Sequence, residues 1–126
     1  SQSAVDRLRQ FVDFHIRFHA DRPDEVFISY MELRNLEPQN FAEIEAERQR
    51  YEAILTTILE DGAAKGLYRI ADARVATRAI IAMLTGIPTW YRAGGSLKVE
   101  QIETIYLDMV RGSVAAAPSS AARECG

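Results

Sequence analysis

Apolar residues recur at three- and four-residue spacing along most of this chain, the mark of helices with one face turned to a core. Over residues 4–20 the face reads Val5, Leu8, Phe11, Val12 and Ile16, and Phe14 and Phe18 widen it. A helix that is apolar on more than one side is buried from more than one side, so this first helix is expected at the centre. Asp21-Arg22-Pro23 closes it and opens a short second helix over 23–35. Pro is tolerated in a first turn, where its missing N–H matters little, and Asp24 and Glu25 meet the positive end of the helix dipole. Val26, Phe27, Ile28, Tyr30, Met31 and Leu33 leave that helix almost no polar side. After Glu37-Pro38 a third helix is predicted over 38–65, about 40 Å long at 1.5 Å per residue. Its stripe is Phe41, Ile44, Arg48, Tyr51, Leu55, Ile58 and Gly62, flanked by Ile54 and Leu59. Glu43, Glu47 and Arg50 are placed on the opposite, solvent face, with Glu45–Arg48 and Glu47–Arg50 spaced to pair. Gly66 is the natural C-terminal stop.

Asp72 reads as the N-cap of a fourth helix over 73–91, whose face is Ala76, Ala79, Ile80, Met83, Ile87 and Trp90. Pro88 falls near its end. An interior Pro costs a helix about 3 kcal/mol or more, so a kink or a loose final turn is expected there. A loop at 92–96 leads to a fifth helix over 98–112, striped with Ile102, Ile105, Tyr106, Met109 and Val110. No stretch alternates apolar and polar residues between turns, so no sheet is predicted. The fold class is all-α, a five-helix bundle over 1–114, with 115–126 (Ala/Ser-rich, containing Pro118) as a flexible tail.

Composition narrows the functional classes. The chain has 126 residues, one ordinary domain, and 48% hydrophobic with 26% charged residues excludes global disorder. Fifteen basic against eighteen acidic residues, net −3, carry no electrostatic footprint for nucleic acid or an anionic membrane. One cysteine, Cys125, permits neither a disulfide within the chain nor a Cys-based zinc site. No apolar run approaches the roughly 20 residues of a membrane span, and no apolar segment near Ser1–Arg7 reads as a signal peptide. The expectation is a soluble, cytoplasmic domain.

Enzyme motifs are missing: there is no phosphate-binding Gly-rich loop and no GxSxG elbow. No catalytic residue and no cofactor are therefore expected. His15 and His19 stand at i and i+4, a spacing that can share a metal ion. His15-Ile16-Arg17-Phe18-His19 lacks the Glu of a metalloprotease, and only Asp21 is a nearby third ligand. One packed and one surface histidine, with no metal, is the preferred reading, and a small helical metalloenzyme is the last-ranked rival.

Two residue sets remain as candidates. Arg48 interrupts an apolar stripe, so it needs a partner: Glu32, Glu52, or the anionic group of a ligand. Large side chains drawn from several helices are also how an apolar cavity is lined. The candidate pocket is Phe11, Phe14, Phe18, Phe27, Tyr30, Met31, Arg48, Tyr51 and Leu55. The last two helices carry small and amphipathic residues that suit the half of a four-helix bundle completed by a two-fold copy. The candidate dimer interface is Ala79, Ala82, Met83, Gly86, Trp90, Tyr91, Ile102, Ile105, Tyr106 and Met109. The rival is a helical interaction module with a filled core and no pocket.

The order of motifs along the chain resembles a known family. Arg48-Gln49-Arg50-Tyr51-Glu52-Ala53-Ile54-Leu55 leads into Leu59-Glu60-Asp61-Gly62-Ala63-Ala64-Lys65-Gly66-Leu67-Tyr68, then Asp72, Ala76 and Pro88-Thr89-Trp90-Tyr91-Arg92-Ala93-Gly94-Gly95. This looks like the C-terminal, ligand-binding domain of TetR-family transcriptional regulators, over about residues 5–114. Gly62 and Gly66 carry the Glu-x-Gly-x-x-x-Gly helix ending common in that family. The Trp-Tyr-Arg-x-Gly-Gly turn resembles a subgroup tied to lipid, sterol or acyl-CoA metabolism, where Pro often stands in place of Ala93. The resemblance implies a homodimer joined through the fourth and fifth helices and a small-molecule pocket enclosed by the earlier ones. It implies an apolar or acyl-CoA-like effector that moves N-terminal helix-turn-helix domains and releases DNA. No helix-turn-helix stands in these residues. The expectation is a fragment or a truncated relative of a regulator, of the repressing kind, that contacts DNA only through an absent N-terminal domain.

Overall fold

In a computed structural model of the chain, residues 3–21, 38–92 and 94–116 are described. They form α1 (Ala4–Asp21), α2 (Pro38–Ala64), α3 (Ala73–Thr85), a 3-10 turn (Ile87–Thr89) and α4 (Val99–Val114). No strand occurs among the described residues, where an isolated bridge joins Tyr68 and Ala115. The second helix expected over 23–35 lies outside them, so its residues Phe27, Tyr30 and Met31 do too.

Local chemistry sets the helix ends. The Val75 N–H donates to Asp72 Oδ1 at 3.1 Å, which caps α3 as expected. Gly66 takes φ +78°, a left-handed value that costs a glycine little. There the chain turns back, and the N–H groups of Leu67 and Tyr68 both donate to Gly62 O, at 2.9 and 3.3 Å. Pro88, which has no N–H to give, coincides with the end of α-helical bonding. The chain tightens into the 3-10 turn, with Thr89 N–H donating to Gly86 O and Trp90 N–H to Ile87 O, both at 3.1 Å. At the start of α4 the Lys98 N–H donates to Gln101 Oε1 at 2.7 Å.

The central position expected for the first helix is observed: α1 packs against α2, α3, the 3-10 turn and α4. Leu8, Val12 and Ile16 of α1 meet Leu55 and Leu59 of α2, Ile80 and Leu84 of α3, Ile87 of the turn, and Ile102, Val110 and Val114 of α4 in one buried cluster. Each such side chain stabilises the fold by about 1.5–3 kcal/mol relative to exposure. Tyr68 fastens the far end. Its ring lies over Gly62, and its hydroxyl donates to Ala4 O at 3.3 Å. Beside it Arg69 N–H donates to Val114 O at 2.9 Å and Ala116 N–H to Leu67 O at 3.3 Å. Ala115 and Ala116, which the sequence places in the tail, thus pair with the 67–69 connector; residues 117–126 lie outside the described residues.

Ion pairs tie α1 at both ends. Arg7 pairs with Asp61 of α2, which also accepts from Lys65 at 3.1 Å. Arg17 grips Glu103 of α4 with two bonds, Nε and Nη2 each at 2.7 Å. Such a fork is the strong form of a carboxylate–guanidinium contact.

Candidate functional site: an apolar groove beside a buried hydrogen-bond chain

The groove follows from two facing helical rows. On α1, Arg7, Gln10, Phe11 and Phe14 recur at three- and four-residue spacing; on α2, Arg50, Tyr51, Ile54, Thr57 and Ile58 do the same. Between these rows lies a cavity of about 810 Å³. Its centre is apolar, made by Phe11, Phe14, Tyr51, Ile54 and Ile58, while Arg7 and Arg50 contribute cationic groups. Phe14 and Ile54 are 59% and 54% exposed, an unusual pairing of large apolar surfaces on facing helices. Phe18, 40% exposed, continues the row one turn on, its ring 5.8 Å from that of Phe14.

Behind the groove sits a buried polar chain. His15 is 2% exposed. Its Nδ1 lies 2.6 Å from the Tyr51 hydroxyl, and its Nε2 lies 3.0 Å from Thr85 Oγ1. The Phe11 ring stacks on His15 at 6.1 Å and lies tilted against Tyr51 at 4.9 Å. Burial pushes the Tyr51 phenol well above its ordinary value, because the charged form would lose its water. Tyr51 therefore stays a neutral hydroxyl whose oxygen is engaged by the imidazole.

The sequence-derived pocket residues fall in different places. Phe11, Phe14 and Tyr51 line the groove. Leu55 is fully buried in the core. Arg48 points to the exposed side of α2, where it pairs with Glu45 at 3.4 Å and Glu52 at 3.5 Å. Of the partners considered from sequence, Glu52 is therefore observed, and Glu32 lies outside the described residues. Arg7, Gln10, Arg50, Ile54, Thr57 and Ile58 were not singled out for the groove. The signal was present at residues 50, 54, 57 and 58, one helical face, but the periodic stripe drawn through Arg48 put Arg50 on the solvent side. A second, polar cavity of about 450 Å³ lies between α2 and α3, beside Glu52, Glu60, Arg74 and Arg78. The Arg78 Nε is 3.8 Å from Glu52 there.

His15 is packed in the core, and the His19 side chain lies outside the described residues. Among the described residues no group of three metal-ligating side chains comes together. Ala79 and Ala82 of α3 are exposed. Trp90, Ile105 and Met109 are each about half exposed. Met83, Gly86, Tyr91 and Tyr106 are partly covered. Ile102 is 1% exposed and belongs to this chain's own core.

This all-helical arrangement matches known regulators. Residues 1–114 match the family described as Tetracyclin repressor-like, C-terminal domain. Among solved structures, a TetR-family regulatory protein from Rhodococcus is 28% identical, with a TM-score of 0.84 over 94% of this chain and 62% of that one. PfmR, a TetR-family transcriptional regulator from Thermus thermophilus, is 27% identical, with a TM-score of 0.80 over 89% of this chain and 62% of its own. AibR, solved in complex with isovaleryl coenzyme A and operator DNA, is 26% identical, with a TM-score of 0.77 over 86% of this chain and 60% of its own. No curated protein matches the sequence. The chain is thus a helical domain of the transcriptional-regulator class. It belongs to the TetR family, as the C-terminal domain, and spans about three-fifths of the length of the solved relatives.

Proposed function

We propose that this domain is the effector-sensing and dimerising part of a TetR-type repressor whose ligand is a small apolar molecule, an acyl-CoA or a related lipid-derived compound. The groove between α1 and α2 carries the reading. Its mainly apolar lining suits a hydrocarbon chain, and Arg50 suits the anionic head of the same molecule. At about 810 Å³ it lies well inside the size range of ligand sites, whose lower end is about 300 Å³. AibR, with isovaleryl coenzyme A bound, supports the ligand class by likeness.

In this reading residues 1–114 form the sensing unit, and α3, the 3-10 turn and α4 supply the surface that pairs with a second copy. Ala79, Ala82, Trp90, Ile105 and Met109 are the exposed candidates for that contact. An N-terminal DNA-binding domain outside these residues would bind the operator, and ligand would shift its placement and release DNA. No described helix is long and apolar enough to cross a membrane; the cytoplasm is the compartment this role requires.

The ligand arm is tested by titrating the chain with acyl-CoAs of rising chain length, isovaleryl-CoA included, and recording heat and melting temperature. A ligand at 100 times its Kd stabilises by about 2.7 kcal/mol, or roughly 10 °C for a domain of this size. No heat and no melting shift across the panel would remove the acyl-CoA reading. The dimer arm is tested by native mass spectrometry, where a mass of twice 14.1 kDa is expected.

A further inference from the structure

His15 and Thr85 do not line the groove, yet with Tyr51 they link it to the end of α3. Tyr51 is a groove residue, His15 is buried in α1, and Thr85 is the last residue of α3. The two hydrogen bonds, 2.6 and 3.0 Å, make a continuous chain through three helices. Immediately beyond Thr85 the chain enters the 3-10 turn, whose bonds run Thr89 N–H to Gly86 O and Trp90 N–H to Ile87 O. The Thr89 hydroxyl also donates to Gly86 O, at 2.6 Å. Trp90 and Tyr91 leave that turn with their rings edge to face, 6.2 Å apart.

We propose that the Tyr51–His15–Thr85 chain is the coupling element through which a hydrocarbon ligand in the groove moves the Gly86–Tyr91 turn. The physical basis is one buried imidazole bonded at both ring nitrogens. A neutral imidazole offers one N–H and one lone pair. Either Tyr51 O–H donates to Nδ1 and Nε2–H donates to Thr85, or Nδ1–H donates to Tyr51 and Thr85 O–H donates to Nε2. In either arrangement both bonds are made by one ring, so displacing the hydroxyl at one nitrogen disturbs the bond at the other. A ligand chain pressed against the Tyr51 ring displaces its hydroxyl from Nδ1. That removes the bond at Nδ1, and the imidazole, still stacked on Phe11, shifts against Thr85. Thr85 is covalently one residue from the turn, so the last carbonyls of α3 shift with it. His15 and Thr85 act as positioning residues in this scheme, since neither lines the groove. Coupling of this kind needs packed, contiguous contact and not mere intermediacy.

The inference rests on the ligand reading above, and the test separates the two. Trp90 is the single tryptophan of the chain, so its emission reports the turn directly. In the ligand-free arm, emission maximum and acrylamide quenching are compared for the full 126-residue chain, Tyr51→Phe and Thr85→Val. Tyr68→Phe is the matched control, because its hydroxyl bonds to Ala4 O at the other end of α1. Tyr51→Phe and Thr85→Val shift Trp90 emission, the double variant shifts it no further than either single one, and Tyr68→Phe leaves it unchanged. Unmoved emission in both single variants, or equal shifts in all three, overturns the coupling. In the ligand arm, isovaleryl-CoA is titrated with calorimetry and fluorescence in parallel. Thr85→Val, a change outside the groove, keeps the heat of binding and loses the Trp90 response. A Trp90 response as large as that of the unaltered chain overturns the coupling. Absence of binding to the unaltered chain counts against the ligand reading, and the ligand-free arm then decides the coupling by itself.

Discussion

Gly62→Ala probes the joint between the end of α2 and the connector that follows it. Gly62 is buried two residues before the end of α2, and a Cβ built there would run into the Cδ2 and Cε2 atoms of Tyr68. That ring has little freedom to yield. Tyr68 is 8% exposed, its hydroxyl reaches Ala4 O, and its backbone is bridged to Ala115. Forcing a methyl into a packed site costs about 1–3 kcal/mol. Two ring carbons occupy the space, so the upper half of that range applies. Replacing a helical glycine by alanine returns about 1 kcal/mol. The net is a loss of about 1–2 kcal/mol, a fall of roughly 4–8 °C in melting temperature. Urea unfolding followed by far-UV circular dichroism measures it. The same substitution in a Tyr68→Ala background isolates the cause: with the ring gone, Gly62→Ala becomes stabilising by about 1 kcal/mol, the helix-propensity value alone. An equal loss in both backgrounds would refute the ring contact as its origin. Gly66→Ala is a contrasting control, since nothing lies within 4 Å of its added Cβ and only its positive φ opposes the change.

Three other outcomes are expected. Burial first, and then the Glu103 carboxylate, raise the Asp13 carboxyl above its ordinary 3.8. A folded-state value above the unfolded one means that stability is lost as pH rises through the folded value. Asp13→Asn therefore raises the melting temperature at neutral pH, and the gain fades in acid, where Asp13 is protonated in both states; a pH-independent gain would contradict this. Ile54→Glu changes stability by no more than about 0.5 kcal/mol, as for other exposed sites, yet abolishes acyl-CoA binding; unaltered affinity in calorimetry would move the ligand elsewhere. Ala82→Arg places a cation on the exposed small-residue face of α3 and yields monomers in native mass spectrometry, and a persisting dimer would take Ala82 out of the interface.

The relation between sequence and structure divides along the range of the interactions involved. Helix existence and ends are local matters. The face through Leu8, Val12 and Ile16, the Asp72 cap, the left-handed Gly66 and the missing N–H of Pro88 each act within a few residues, so they could be read directly. Tertiary structure decided which way each stripe faces. Successive residues on a helix are about 100° apart, so Arg48 and Arg50 point to nearly opposite sides, and only the packing of α1 against α2 selects Arg50 for the groove. Leu55 and Ile54 part in the same way, one sealed in the core and the other on the groove wall. Ile102, placed at an interface by its stripe, is claimed instead by this chain's own core. The His15 chain carries no local signature, because His15 lies 36 residues from Tyr51 and 70 from Thr85. Periodicity can say that an imidazole is buried, but only the approach of three helices says which hydroxyls satisfy it.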